Sequence, residues 1–233
     1  MNILAVGAHP DDIEFGCAHA LIQEIGKGNR VKLLVLSRGE AGSSGTSESR
    51  EAEAHAAAKL MGAEIVFIDL GGDCRIEHIP SNAFKIAVEI RSFQPAIVLA
   101  PHTEENQHPD HSIAGKLTRD ACRFARYAGL DALKGFSEES AAHAIAALYY
   151  YNITVEFGRP DIVIDISAVK EKWEAAMACH ASQMRTRSYS ELRLSAARHL
   201  GQSMGVEYAA GFYVNDSVRV EHLSALTLSS RHF

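Results

Sequence analysis

Two short blocks carry the residue types of a hydrolytic metal centre: His9-Pro10-Asp11-Asp12 near the start of the chain and His108-Pro109-Asp110-His111 near its middle. Together they supply the imidazoles and carboxylates for one divalent cation, with a carboxylate left to handle protons. A catalytic zinc takes three protein ligands and leaves a position for a water whose pKa falls to about 7. His9, Asp12 and His111 make that set. Asp11, beside a ligand but directed elsewhere, is then free to accept the proton of that water as general base. Attack on a carbonyl builds a negative oxygen that needs a donor or positive charge besides the cation. His108 is expected to supply it as imidazolium, with Asp110 raising its pKa by favouring the charged form.

The blocks form one site only if the fold brings them together. Runs rich in Val, Ile and Leu at Ile3 to Val6, Val31 to Leu36, Ile65 to Leu70, Ala96 to Ala100 and Ile162 to Ile166 read as buried strands. Gly16 to Lys27, Ser49 to Met61, Asn82 to Phe93 and Ser112 to Tyr127 carry apolar residues at helical intervals. This alternation predicts an α/β fold, a mostly parallel sheet with helices on both faces and right-handed crossovers. In the doubly wound order 3-2-1-4-5, ligands bind beyond the carboxyl ends of the first and fourth strands, where strand order reverses. His9 to Asp12 follow the first of these strands and His108 to His111 the fourth, so both blocks are expected at one crevice. The Gly/Ser loop Gly39 to Thr46, directly after the second strand, lies at the same end.

After Lys134 the chain changes character, with an Ala-rich helix candidate, the strand-like Tyr149 to Val155, helical stretches from Val169 to Met184 and Ser190 to Gln202, and a terminal strand within Gly205 to Tyr213. This reads as a C-terminal elaboration of a single domain spanning residues 1–233.

At 233 residues and 47% hydrophobic composition the chain can bury a sizeable core. A net charge of -6 without a basic run argues against nucleic acid or an anionic membrane as partner and leaves a small molecule. Cys17, Cys74, Cys122 and Cys179 are scattered without a C-x-x-C pair, which reads as reduced, mostly buried thiols in a cytoplasmic protein. The start lacks a basic n-region, and no apolar stretch reaches membrane-spanning length.

Each block taken alone reads equally well as a polar turn ahead of a helix, with Asp12 or Asp110 capping and the proline fixing the chain. Their joint placement beyond two strands favours a site. Arg50 reads without further information as a solvated helix-start residue paired with Glu51 or Glu53, and Tyr189 as a half-buried aromatic. The remaining histidines, among them His19 and His180, have no motif context.

On these blocks, together with Arg38-Gly39-Glu40-Ala41-Gly42-Ser43 through Arg50, Asp165-Ile166-Ser167 and Gly205 to Phe212, the chain resembles the zinc-dependent N-acetylglucosaminyl deacetylases of the PIG-L/LmbE-like family. Within it the chain is most similar to the branch that includes the bacillithiol-biosynthesis deacetylase. The resemblance implies a Rossmann-like three-layer fold and hydrolysis of an N-acetyl group from a glucosamine moiety, giving a free amine and acetate. It implies His9, Asp12 and His111 as metal ligands, Asp11 as general base and later acid, and His108 as the partner of the oxyanion. Arg50 matches a substrate-contacting arginine and Tyr189 a tyrosine that polarises the scissile carbonyl. Zn2+ is the implied cofactor, although Fe2+ or another divalent ion suits the same ligands. A homo-oligomer, hexameric by family analogy, is implied as well.

The chain departs from that branch in two loops that border the family's sugar cleft. Asn106-Gln107 stands where the branch has Asp-Arg, and Gly71-Gly72-Asp73-Cys74-Arg75 where it has a Leu-Pro-Asp turn. Asp73 and Arg75 are therefore expected at the substrate, with Arg75 in place of the missing arginine toward an acidic aglycone such as malate. Competing readings are a non-haem iron oxygenase, disfavoured by strand-helix alternation, and a non-catalytic metal- or sugar-binding protein, which has no use for Asp11. A nicotinamide enzyme would need a G-x-G-x-x-G turn where Gly7-Ala8-His9 stands.

Overall fold

The computed structural model describes residues 1–104, 108–134, 141–156, 158–185 and 187–225. Asn106 and Gln107, one of the two departures from the bacillithiol branch, lie outside the described residues. The strands are β1 (Asn2–Gly7), β2 (Arg30–Val35), β3 (Glu64–Phe67), β4 (Ile97–Pro101), β5 (Ala147–Tyr151), β6 (Ile162–Asp165) and β7 (Ala209–Val214). They form one sheet in the order β3-β2-β1-β4-β5-β7-β6. The pairings from β3 to β5 are parallel, and β7 runs antiparallel to both of its neighbours. Strand order reverses between β1 and β4, as the alternation of elements predicts.

The helices are α1 (Asp12–Gly16), α2 (Ala18–Gly26), α3 (Ser47–Met61), α4 (Pro80–Phe93), α5 (Pro109–Ala125), α6 (Asp131–Lys134), α7 (Lys170–Ala178) and α8 (Tyr189–Met204). Successive side chains of a strand point to opposite faces, and β1 shows why the molecule has two cores. Ile3 and Ala5 join Leu21, Trp173 and Met177 on one side, whereas Leu4 and Val6 join Ile86, Ile90 and Leu117 on the other. A fully buried aliphatic side chain contributes about 1.5–3 kcal/mol, so this apolar strand holds both helix layers to the sheet.

Several boundaries differ from the sequence expectation. The fourth and fifth helices begin at Pro80 and Pro109, earlier than Asn82 and Ser112, because proline at the first helical position needs no N–H partner. The third begins at Ser47, where Thr46 and Ser49 cap it reciprocally. The third strand ends at Phe67 instead of Leu70. Position five of the sheet is taken by Ala147–Tyr151, two residues ahead of the expected start, and Ile162–Asp165 becomes the outer strand beside β7. Of the Ala-rich stretch after Lys134, residues 141–145 are irregular. The helix expected from Val169 to Met184 breaks after Ala178, where Ser182 N–H and Oγ both turn to the Glu53 carboxylate at 2.8 and 2.6 Å.

Candidate active site

β1 ends at Gly7 and α1 starts at Asp12, so the first block makes up most of the turn between them and the first residue of α1. Within it the His9 N–H donates to Asp12 Oδ2 at 2.9 Å. Asp12 thus ties back to His9 instead of capping the helix. Asp11 has φ 117 and makes no capping bond. A positive φ in a residue with a Cβ costs about 1–2 kcal/mol. Strain of this kind collects at functional sites, and here it accompanies a carboxyl group that lines a cavity.

The second block is placed by α5. His108 is its N-cap, accepting the Asp110 N–H on Nδ1 at 3.2 Å. A Cβ on Gly115 would strike the Pro101 carbonyl oxygen, so glycine there lets α5 press against the end of β4. His111 is thereby carried to Asp12, with Nε2 3.1 Å from Asp12 Oδ1. His9 Nδ1 stands 3.6 Å from Asp12 Oδ2.

One atom each from His9, Asp12 and His111 lies within 4.8 Å of the others, and all three side chains are buried. Donors around a tetrahedral zinc lie about 3.3 Å apart when each bond is near 2.0 Å. The spacing and the donor set therefore fit a divalent cation of the zinc class.

Electrostatics agree with that role. Burial penalises the charged form of Asp12, but His111 and His9 outweigh it and hold the carboxyl well below its ordinary range. Burial likewise opposes charge on His9, yet Asp12, Asp110 and Asp73 together raise its pKa. Asp11 behaves differently. Burial, reinforced by the Asp12 charge, raises it to about 6, with Arg50, His180 and His9 pulling the other way. Two adjacent carboxyls thus differ in their readiness to hold a proton, which is how acid-base roles separate in one site.

Asp110 raises the pKa of His108 as expected, but other contacts decide the net shift. The Asp110 carboxylate is 3.9 Å from His108 Nδ1 but accepts the Cys74 N–H at 2.8 Å and faces His9 Nε2 at 3.3 Å. Burial, with His9 nearby, lowers the pKa of His108 despite Asp110. His108 Nδ1 accepts a backbone N–H, an arrangement that suits a neutral ring with its proton on Nε2.

The structure brings Asp73, Arg50 and Tyr189 to the cavity. Asp73 is buried with Oδ1 3.1 Å from His9 Nε2, so it points at a candidate ligand instead of outward to a substrate. Arg50 is buried too, and neither Glu51 nor Glu53 is its partner. Nη1 donates to the Gly39 carbonyl at 2.9 Å, and Nη2 donates to Pro10 O at 3.0 Å and approaches Asp11 Oδ1 at 3.5 Å. Arg75 is exposed and does not line the cavity. Cys74, with φ 62, turns the chain so that Asp73 and Cys74 face inward.

Sequence reasoning missed three features. Cys74 is exposed at the cavity, against the expectation of buried thiols, whereas Cys17 and Cys122 are buried. Gln183 lines the cavity because α7 stops early, and nothing in its sequence context marks it. His180 is buried 3.4 Å from Glu14 in the same break. The cavity has a volume of about 390 Å³, within the range of small-molecule sites.

Comparison with known proteins points the same way. A family profile described as PIG-L, GlcNAc-PI de-N-acetylase, matches residues 4–122, which contain both blocks. The conserved protein TT1542 of Thermus thermophilus is 31% identical, with a TM-score of 0.82 over 94% of this chain and 96% of that one. The 4-oxalmesaconate hydratase of Pseudomonas putida is 27% identical over 90% of this chain and 87% of its own length. The N,N'-diacetylchitobiose deacetylase of Pyrococcus horikoshii, at 20% identity over 91% of this chain and 83% of that one, shares the fold with a TM-score of 0.82.

Proposed function

The chain belongs to the PIG-L family of GlcNAc-PI de-N-acetylases, and from that premise we propose that it is a metal-dependent hydrolase that removes the N-acetyl group from an N-acetylglucosamine-containing small molecule. The observation that carries this reading is the division of labour in the first block. His9 and Asp12 face His111, while the strained Asp11 lines the cavity as a separate carboxyl.

His9, Asp12 and His111 would hold the cation, with zinc as the preferred ion. When bound, it supplies Lewis acidity for the amide carbonyl and lowers the pKa of a water. Asp11 takes the proton of the attacking water and returns it to the departing nitrogen. The carbonyl oxygen, negative after attack, accepts from His108 Nε2–H as a neutral donor, and Tyr189 also lines the cavity. Arg50 keeps Asp11 oriented through the Nη2 contact and ties the turn at Pro10 to the loop at Gly39. Its role is positioning more than substrate binding. The GlcNAc-malate precursor of bacillithiol is one substrate to test, because Asp73 and Cys74 of the departing loop line the cavity.

Hydration is the second reading, favoured by the similarity to the Pseudomonas putida hydratase. Carboxylate-bearing substrates want a bidentate cation. Among the described residues that line the cavity, Arg50 is the one Lys or Arg, and its guanidinium is occupied by Gly39, Pro10 and Asp11. Deacetylation is therefore preferred. The test is a mass-spectrometric screen of zinc-reconstituted protein against N-acetylglucosaminides with different aglycones and against 4-oxalmesaconate. Acetate release from the sugars supports the reading. Water addition to the oxalmesaconate without any acetate release overturns it.

A further inference from the structure

Beside the candidate catalytic ligands stands a second set of donor atoms, of which the proposed reaction uses His108 Nε2 alone. Cys74 Sγ lies 3.4 Å from Asp73 Oδ1 and 3.4 Å from His108 Nε2. His108 Nε2 and Asp73 Oδ1 are 3.9 Å apart. All three atoms belong to residues that line the cavity, and none of these residues is among the His9, Asp12 and His111 set. Sulfur at about 2.3 Å and nitrogen or oxygen at about 2.0–2.2 Å from a tetrahedral zinc stand about 3.3–3.6 Å apart. The Cys74, His108 and Asp73 atoms describe nearly that triangle before any ion enters.

We propose that Cys74 Sγ, His108 Nε2 and Asp73 Oδ1 form a second cation site, for zinc or a similarly thiophilic divalent ion, at the mouth of the cavity. Without an ion, a hydrogen-bond chain from His108 Nε2–H through the thiol to the Asp73 carboxylate accounts for the contacts. A divalent cation takes the place of both bridging protons. The thiol proton leaves to solvent, as ligation of a cysteine requires. The imidazole proton moves to Nδ1, where the ring gives up the Asp110 N–H contact and faces the Asp110 carboxylate, 3.9 Å away. Asp73 Oδ1 has two lone pairs, so it keeps the His9 Nε2 contact at 3.1 Å while turning the second toward the ion. Thiolate, imidazole and carboxylate together select zinc-class ions over magnesium or calcium.

An ion at this site removes the Nε2–H that the deacetylase reading assigns to the oxyanion, so excess zinc inhibits. That consequence rests on the proposed function, whereas binding itself does not. The test is a titration of metal-stripped protein with Co2+, read by visible absorption for total binding and by the near-ultraviolet thiolate-to-cobalt charge-transfer band for Cys74. Wild type is expected to bind two equivalents, the second bringing the thiolate band. Cys74→Ser is expected to keep the first equivalent and lose the band, and so is Cys74→Asn, whose side chain suits a positive φ. His111→Ala is expected to lose the other equivalent and keep the band, which separates this site from the proposed catalytic one. Where acetate release is detected, Cys74→Ser is expected to need at least tenfold more zinc for half-inhibition. Absence of the thiolate band in wild type at any loading overturns the proposal, as does its persistence in both Cys74 variants.

Discussion

The carboxylate of Asp73 stands 3.1 Å from Nε2 of His9, with both side chains buried. This contact fixes which ring nitrogen is left for a cation, because Nε2 is engaged by Asp73 and Asp110 while Nδ1 faces Asp12. Carboxylates behind a ligating histidine orient the ring and raise its basicity, and their loss typically lowers metal affinity about 10–100-fold. Asp73→Ala, made in a Cys74→Ser background, is accordingly expected to weaken zinc binding at His9, Asp12 and His111 by about that factor in a chelator competition. An unchanged affinity would show that Asp73 does not act through His9.

Gly39 has φ 69, and a Cβ there would overlap the Arg50 guanidinium. Gly39→Ala therefore carries a backbone penalty of about 1–2 kcal/mol, and it also pushes Arg50 away from Asp11. A fall in Tm of about 2–8 °C is expected for a chain of this size, with a loss of activity that persists at temperatures where the variant is fully folded. A destabilised variant of normal activity would separate Arg50 from the chemistry.

His19 supplies the pH prediction. Burial, assisted by the nearby Arg193 charge, lowers its pKa from 6.5 to about 3. The unfolded chain thus binds a proton below pH 6.5 that the folded chain refuses. The contribution is absent above that pH, and stability falls as pH drops toward 3, by about 1.4 kcal/mol per pH unit. Trp173 is the single tryptophan and its ring centroid lies 4.8 Å from that of His19, so its fluorescence reports unfolding locally. His19→Leu is expected to flatten the dependence of the urea midpoint on pH between about 6 and 4. Equal slopes in the two proteins would mean that His19 titrates normally.

The strand order and the meeting of the two blocks were legible because they rest on strong signals. Continuous apolar runs such as Ile3 to Val6 specify central strands, and the reversal of order between β1 and β4 brings the turns beyond their carboxyl ends to one crevice. What sequence could not show was side-chain direction across loops. Asp110 is next in sequence but one to His108, yet its carboxylate turns to Cys74 N–H and His9 from the other segments. The early end of α7 depends on the Glu53 carboxylate reaching Ser182, a contact between residues far apart in sequence. Cys74 faces the cavity through a backbone turn with φ 62 that residue type alone does not announce. In each case a long-range contact decides between local alternatives of similar energy.

Asp11 is where the account is most exposed to test. Asn suits a positive φ and nearly preserves shape, so Asp11→Asn should leave the turn and the His9, Asp12 and His111 donors in place. Zinc content and acetate release are to be measured on the same reconstituted samples of wild type and variant, with the best N-acetylglucosaminide substrate. Full zinc loading with acetate release reduced by about 10²–10⁴-fold is the predicted result. Full loading with wild-type acetate release would contradict it and remove Asp11 as the group that moves the proton.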